Sequence, residues 1–386
     1  MKRLFWVRKI LLGLALIFLV TNLANANSFL ELKQKANHAY KNKDWDSAIK
    51  YFTEALKYKK GDGLTCYALS YAYGKKKNWS ETIFYAKKAI EFNFKLNQAY
   101  LQLGWALNEK GDYDEAIKWM KKAIELYPQE NKFYRKLTWA YKKKGLYNET
   151  IEMAKKEIEL KPDGKWALWA YNDLGYALLK TGKYDEAITA CSKAIEIDPN
   201  YLPPYTNTGD SYREKGEYEK ALKWLNKALS LDPKKANIYH NLGLVYAKRG
   251  KSYGPQAIKN FKKAIKYNPN YTEAYAGLGM VYAQKEMYNK AIENFKKAIK
   301  CNPNSADEYV KLGFVYGLKE MPDEAILEYK KAIAINPNHA LAYYHVGVIY
   351  YYKKQYKLAI KYCDKARELG YSVRPALLEA LKPYRK

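Results

Sequence analysis

The side chains best able to ligate a metal or attack a substrate are four cysteines, Cys66, Cys191, Cys301 and Cys363, and four histidines, His38, His240, His339 and His345. A protein-held metal needs several such groups at short, fixed spacing. None of the histidines stands at ligand spacing from a cysteine or a carboxylate cluster. No glycine-rich phosphate loop, nucleophile elbow or paired catalytic motif accompanies them. The sequence assigns no catalytic residue, no metal and no cofactor, and the expectation is a protein that binds rather than one that catalyses. Charge and aromatic surface are what remain. The 386 residues carry 68 Lys+Arg against 40 Asp+Glu, a formal charge of +28, and include 40 Tyr. Only eight of the basic residues are Arg, the side chain suited to bidentate phosphate and base contacts. That argues against nucleic acid as the partner. A hydrophobic content of 48% excludes a disordered basic tail.

The elements that must position these residues recur along the chain. Pro128, Pro162, Pro199, Pro233, Pro269, Pro303 and Pro337 are separated by 34, 37, 34, 36, 34 and 34 residues. The pairs Leu103-Gly104, Leu174-Gly175, Leu242-Gly243, Leu278-Gly279, Leu312-Gly313 and Val346-Gly347 keep the same period, as do Ala116, Ala187, Ala221, Ala257, Ala291, Ala325 and Ala359. The copy from Asn97 to Glu130 shows the unit. Tyr100, Leu103 and Leu107 are spaced three and four apart, one helix face. Gly111 stops that helix. Tyr113 opens a second, with Asp114 and Glu115 at its positive end. Ala116, Met120, Ala123 and Leu126 make its apolar face, and Pro128 ends it. Gly104 and Ala123 are small enough for the two helices to approach closely. In this register Cys66 takes the place of Tyr100, Cys191 and Cys363 that of Met120, and Cys301 that of Leu126. All four thiols are expected to be free core residues, because a disulfide needs Cα atoms within about 7 Å and the cysteines belong to separate repeats.

This pattern resembles the tetratricopeptide repeat. Ten copies are read, at 29–62, 63–96, 97–130, 131–167, 168–201, 202–235, 236–271, 272–305, 306–339 and 340–373. The first two lack the Leu-Gly pair and the closing proline. Gly164 to Ala167 and Lys251 to Pro255 are extra residues, expected in loops. The resemblance implies an all-α, right-handed superhelical solenoid of ten helical hairpins. The tail, 374–386, with Leu377, Leu378 and Leu381, is expected to form a capping helix over the last repeat.

The resemblance also implies that the first helix of each hairpin lines a concave groove, with the residue after the Leu-Gly pair pointing into it. Those residues are Tyr71, Trp105, Trp139, Tyr176, Asp210, Leu244, Met280, Phe314 and Val348. Four residues earlier on the same face lie Tyr67, Leu101, Arg135, Asn172, Thr206, His240, Ala276, Val310 and Tyr344. Two apolar stretches would flank a polar centre at Asn172, Thr206, Asp210 and Arg213. Exposed aromatic stripes mark interfaces, so the expected partner is a protein or extended peptide. The competing reading is that these residues pack neighbouring helices together. A carboxylate clamp built on Lys33 and Asn37 is incomplete, since Ala68, Gln98 and Gln102 stand where it needs Asn or basic residues. Lysine pairs recur on the second helices at Lys87-Lys88, Lys121-Lys122, Lys155-Lys156, Lys262-Lys263, Lys296-Lys297 and Lys330-Lys331. They read as a solvated outer wall, or alternatively as a surface adhering to an anionic membrane or envelope.

Residues 1–26 read as a secretory signal peptide. Lys2, Arg3, Arg8 and Lys9 form a positive head, Ile10 to Val20 is an apolar run, and Ala24-Asn25-Ala26 supplies a small-residue cleavage site. At about 1.5 Å per residue the run is too short for a bilayer core of about 30 Å. The expected location is periplasmic or secreted; an uncleaved inner-membrane anchor, with the chain facing outward, is the alternative. The oligomeric state is left open.

Overall fold

The computed structural model describes the backbone of residues 2–93 and 96–385, and the side chains of residues 14, 16, 19–93 and 97–385. The side chains of Lys2, Arg3, Arg8 and Lys9, and of most of the apolar run after them, lie outside these residues. So do Phe94 and Lys95 of the second repeat and Lys386 of the tail.

The described residues are helical throughout, with no strand. Consecutive helices pack as antiparallel hairpins, and the chain divides into two compact units, Met1–Pro199 and Asn200–Lys386. The first unit pairs α1 (Lys2–Lys41) with α2 (Trp45–Tyr58), α3 (Gly63–Lys75) with α4 (Trp79–Glu91), and α5 (Leu96–Lys110) with α6 (Tyr113–Leu126). It continues with α7 (Asn131–Lys144) and α8 (Tyr147–Leu160), then α9 (Gly164–Lys180) and α10 (Tyr184–Ile197). The second unit pairs α11 (Pro203–Glu214) with α12 (Tyr218–Leu231), α13 (Ala236–Arg249) with α14 (Gly254–Tyr267), and α15 (Thr272–Gln284) with α16 (Tyr288–Cys301). It ends with α17 (Ala306–Leu318) and α18 (Pro322–Ile335), α19 (Ala340–Tyr352) and α20 (Tyr356–Glu368), and the short α21 (Pro375–Leu381). Within each unit the first helices of neighbouring hairpins also touch one another.

Local chemistry sets these boundaries. Asp44, Asp62 and Asn78 accept backbone N–H groups of Ser47, Thr65 and Glu81 and so cap α2, α3 and α4. Gly111, with φ of +86°, makes the left-handed turn between α5 and α6. At the equivalent turns Lys43, Lys77, Glu286, Glu320 and Lys354 adopt the same conformation despite carrying a side chain. In the hairpins that carry it, the glycine of the first helix lies under a side chain of the second helix. A Cβ on Gly104 would stand 2.5 Å from Met120 Sδ, and one on Gly209 2.7 Å from Leu225 Cγ. At Gly175 and Gly347 the sulfur of Cys191 and of Cys363 fills that place.

Two expectations are corrected. Gly164 to Ala167 form the first turn of α9 rather than a loop, because Ala167 and Leu168 are buried and draw the segment onto the core. Lys251–Tyr253 do make a turn, of 3-10 type, but Gly254 and Pro255 already belong to α14. The four cysteines are free, and burial pushes the thiols of Cys66 and Cys363 up to about 11. Cys301 is only half-buried, however: it ends α16, where the last turn has rotated off the core, and its counterpart Leu126 is 53% exposed.

Candidate binding surface

In the first unit the expected groove aromatics are half-buried, and each rests edge-on against the residue that opens the preceding second helix. Trp45 meets Tyr71 with ring centroids 6.0 Å apart, Trp79 meets Trp105 at 5.0 Å, Tyr113 meets Trp139 at 6.0 Å, and Tyr147 meets Tyr176 at 6.1 Å. Ammonium groups one turn on cover three of the rings: Lys75 over Tyr71 at 4.9 Å, Lys143 over Trp139 at 5.2 Å and Lys180 over Tyr176 at 5.5 Å. Tyr67 and Leu101 pack against buried clusters of neighbouring hairpins. The row is therefore a chain of contacts between hairpins, with only its outer edges open to solvent.

Arg135 is held by buried acids. It donates to Asp173 at 2.5 Å, which Lys142 also meets at 2.6 Å, and it lies 3.8 Å from Glu157. Glu157 is fully buried, at the place where other repeats carry alanine. The hydroxyl of Thr138, which replaces the glycine of the Leu-Gly pair, donates to its carboxylate. Burial is the main influence on Glu157 and raises its pKa to about 7; Arg135 pulls the other way. The guanidinium of Arg135 also stacks 5.4 Å from the Trp169 ring. Asn172 is buried and does not line a surface.

The second unit differs. Its polar residues satisfy one another: Arg213 donates to Asp210 at 2.5 Å, Asn241 donates to Asp210 at 3.0 Å, and Glu214 joins Arg213 to Lys248. Thr206 is buried and donates to Pro203 O. His240, whose pKa burial lowers, lies half-buried between Phe261 and Tyr271. Leu244 and Val348 are half-buried. Ala276, Val310 and Tyr344 are buried, with Arg374 donating to the Tyr344 hydroxyl at 2.7 Å. These three, with Asn172 and Thr206, are corrections: one turn before the glycine, the side chain points between first helices rather than out of them. Met280 and Phe314 are exposed, at 39% and 43%. Leu318 and Tyr352 are exposed too, at 42% and 73%. Neither was assigned from the sequence, although both lie four residues beyond the groove position on the same helix face, a spacing that could have found them. Met280 lacks the covering ring of the first unit because α14 opens with Gly254 and Pro255 in place of an aromatic residue.

The lysine pairs of the second helices are exposed or half-exposed, but one member of most pairs is occupied. Lys88, Lys156, Lys297 and Lys331 meet Glu91, Glu159, Glu293 and Glu328 at 2.6–2.9 Å. Lys263 stands 5.0 Å over the Tyr239 ring. Lys33 is likewise committed, to Asp62 at 2.8 Å.

Four family models describing tetratricopeptide repeats match the chain. One covers 209–250, 255–286 and 323–354, and another 168–201 and 272–305. A third covers 98–130 and 340–369, and a fourth 190–223 and 294–326. Together they run almost unbroken from 168 to 369. No curated protein sequence matches the chain. Among solved structures, yeast Tom70 is 16% identical over 93% of this chain and 96% of its own, with a TM-score of 0.59. Human IFIT1, solved as a dimer with PPP-AAAA, is 20% identical over 87% of this chain and 89% of its own, at 0.52. The structure of MamA is 34% identical over 42% of this chain and 93% of its own, at 0.38. Together the repeat models match more than half of the chain, and the chain belongs to the tetratricopeptide-repeat family.

Proposed function

We propose that this chain is an exported scaffold that captures a polypeptide on the first-helix face of its second unit and serves assembly of a cell-envelope complex. The observation that carries the reading is the exposed stripe of Met280, Phe314, Leu318 and Tyr352 on three successive first helices. Large apolar side chains left in water at this density favour a partner that covers them. Truncating an interface anchor of this kind typically costs about 2 kcal/mol or more of binding. The N-terminal signal pattern supports export.

The experiment places the photo-crosslinking residue p-benzoylphenylalanine at position 314, and at position 126 as an exposed control on a second helix. Expected are protease-sensitive adducts in envelope extracts at 314 and none at 126. Equal labelling at both positions, or none at 314, would remove the proposal. Phe314→Ala should leave the melting temperature unchanged. Trp139→Ala, which breaks the contact with Tyr113, should cost about 3 kcal/mol of stability.

A second reading keeps the lysine wall as the functional surface. Lys121, Lys155, Lys262 and Lys296 are exposed and, among the described residues, without an ion-pair partner, so they could meet an anionic surface. Adhesion of that kind weakens steeply with salt, whereas apolar capture does not.

A further inference from the structure

We infer that the second unit carries a small-molecule site on its second-helix side, for a flat ring bearing a carboxylate, phosphate or sulfonate. A cavity of about 810 Å³ opens between α18, α19 and α20. That is the volume of an ordinary ligand pocket, roughly 300–1,000 Å³. Its apolar wall is Ile333 with Tyr343 and Tyr362, whose ring centroids are 6.0 Å apart and whose planes are inclined by 36°. Tyr350 backs Tyr362 at 5.6 Å. This aromatic wall offers a face on which another ring can stack.

The charges around it decide the sign of the ligand. Five charged side chains line the cavity: Lys330, Lys361, Lys365, Asp364 and Glu368. Both acids are already neutralised. Arg385 grips Asp364 with two hydrogen bonds, at 2.6 and 2.8 Å, and Lys365 meets Glu368 at 2.9 Å. Lys330 lies 5.9 Å from the Tyr350 ring. Among the described residues Lys361 has no ion-pair partner. An anion entering beside the tyrosines would therefore find the ammonium of Lys361, with that of Lys330, which hydrogen-bonds Tyr350, nearby, and both described lining carboxylates already paired. None of the lining residues belongs to the stripe of Met280, Phe314, Leu318 and Tyr352, so this site is separate from the capture surface.

The test uses 8-anilinonaphthalene-1-sulfonate and its uncharged counterpart N-phenyl-1-naphthylamine, titrated against the full chain and followed by fluorescence. Expected is one saturable site that prefers the sulfonate at least tenfold. Lys361→Met should remove most of that preference, and this exposed change should leave the melting temperature unaltered. Tyr362→Ala should weaken both dyes together. Phe314→Ala should change nothing. Equal sulfonate binding by Lys361→Met and the unmodified chain would overturn the inference. So would loss of the site in Phe314→Ala, which would place the dye on the capture surface instead.

Discussion

At position 157 a carboxylate stands fully buried where Ala123 and Ala194 stand in other repeats, and at 138 a threonine replaces the usual glycine. The two exceptions answer each other through the Thr138 hydrogen bond, while Arg135 and Asp173 supply the nearest charges. One oxygen of Glu157 accepts no hydrogen bond. A carboxyl whose folded pKa is raised binds its proton more tightly in the folded chain than in the unfolded one. The stability this contributes is fully present below the ordinary value of 4.5 and is lost as pH rises toward about 7. The loss across that window is roughly 3 kcal/mol at about 1.4 kcal/mol per pH unit. Glu157→Gln imitates the protonated acid. It should match the unmodified protein in denaturant melts at pH 4.5 and exceed it by about 3 kcal/mol at pH 8. A stability difference that does not change with pH would show that Glu157 is ionised in the folded chain throughout.

The element is a hairpin whose turn demands a left-handed residue. Gly111 meets that demand freely, and a Cβ there would find nothing within 4 Å. The cost of replacing it is thus purely that of the backbone, about 1 kcal/mol for an alanine held in this conformation. Gly111→Ala is expected to lower stability by that amount in chemical denaturation while leaving the helical circular dichroism unchanged. No loss would mean that the turn can relax. Lys43, Lys77, Glu286, Glu320 and Lys354 show that several hairpins tolerate this cost because their two helices are fastened elsewhere, by the buried alanines and large side chains of the second helix. Hairpins of the first unit are fastened to each other by the edge-on pairs Trp45–Tyr71, Trp79–Trp105, Tyr113–Trp139 and Tyr147–Tyr176.

For the whole molecule, the proposal of export makes a direct prediction. α1 is continuous from Lys2 to Lys41 and carries Ala24-Asn25-Ala26 along its length, with residues 21–27 exposed. Among the described residues no helix is long and apolar enough to cross a membrane. The mature chain is expected to begin at Asn27, and mass spectrometry of the protein recovered from the cell envelope reads this directly. An intact Met1 in that fraction would replace cleavage with an anchor.

The hairpin was legible in the sequence because a helix repeats every 3.6 residues and a hairpin with its turn every 34 or so. Leu103-Gly104, Ala116, Met120 and Pro128 each leave a mark at fixed distance, and no distant contact is needed to read them. The exceptions at Thr138 and Glu157 were visible as breaks in that pattern, but their joining with Arg135 and Asp173 required three helices to meet. The binding surface was legible only as a row of positions. Tyr71, Trp105, Trp139 and Tyr176 have the right types and spacing for a groove, yet the opening residue of each preceding second helix covers them. Met280 and Phe314 occupy the same positions and stay open. Which large side chain is covered depends on what the neighbouring hairpin places against it, and that is a property of packing between hairpins that no single repeat contains.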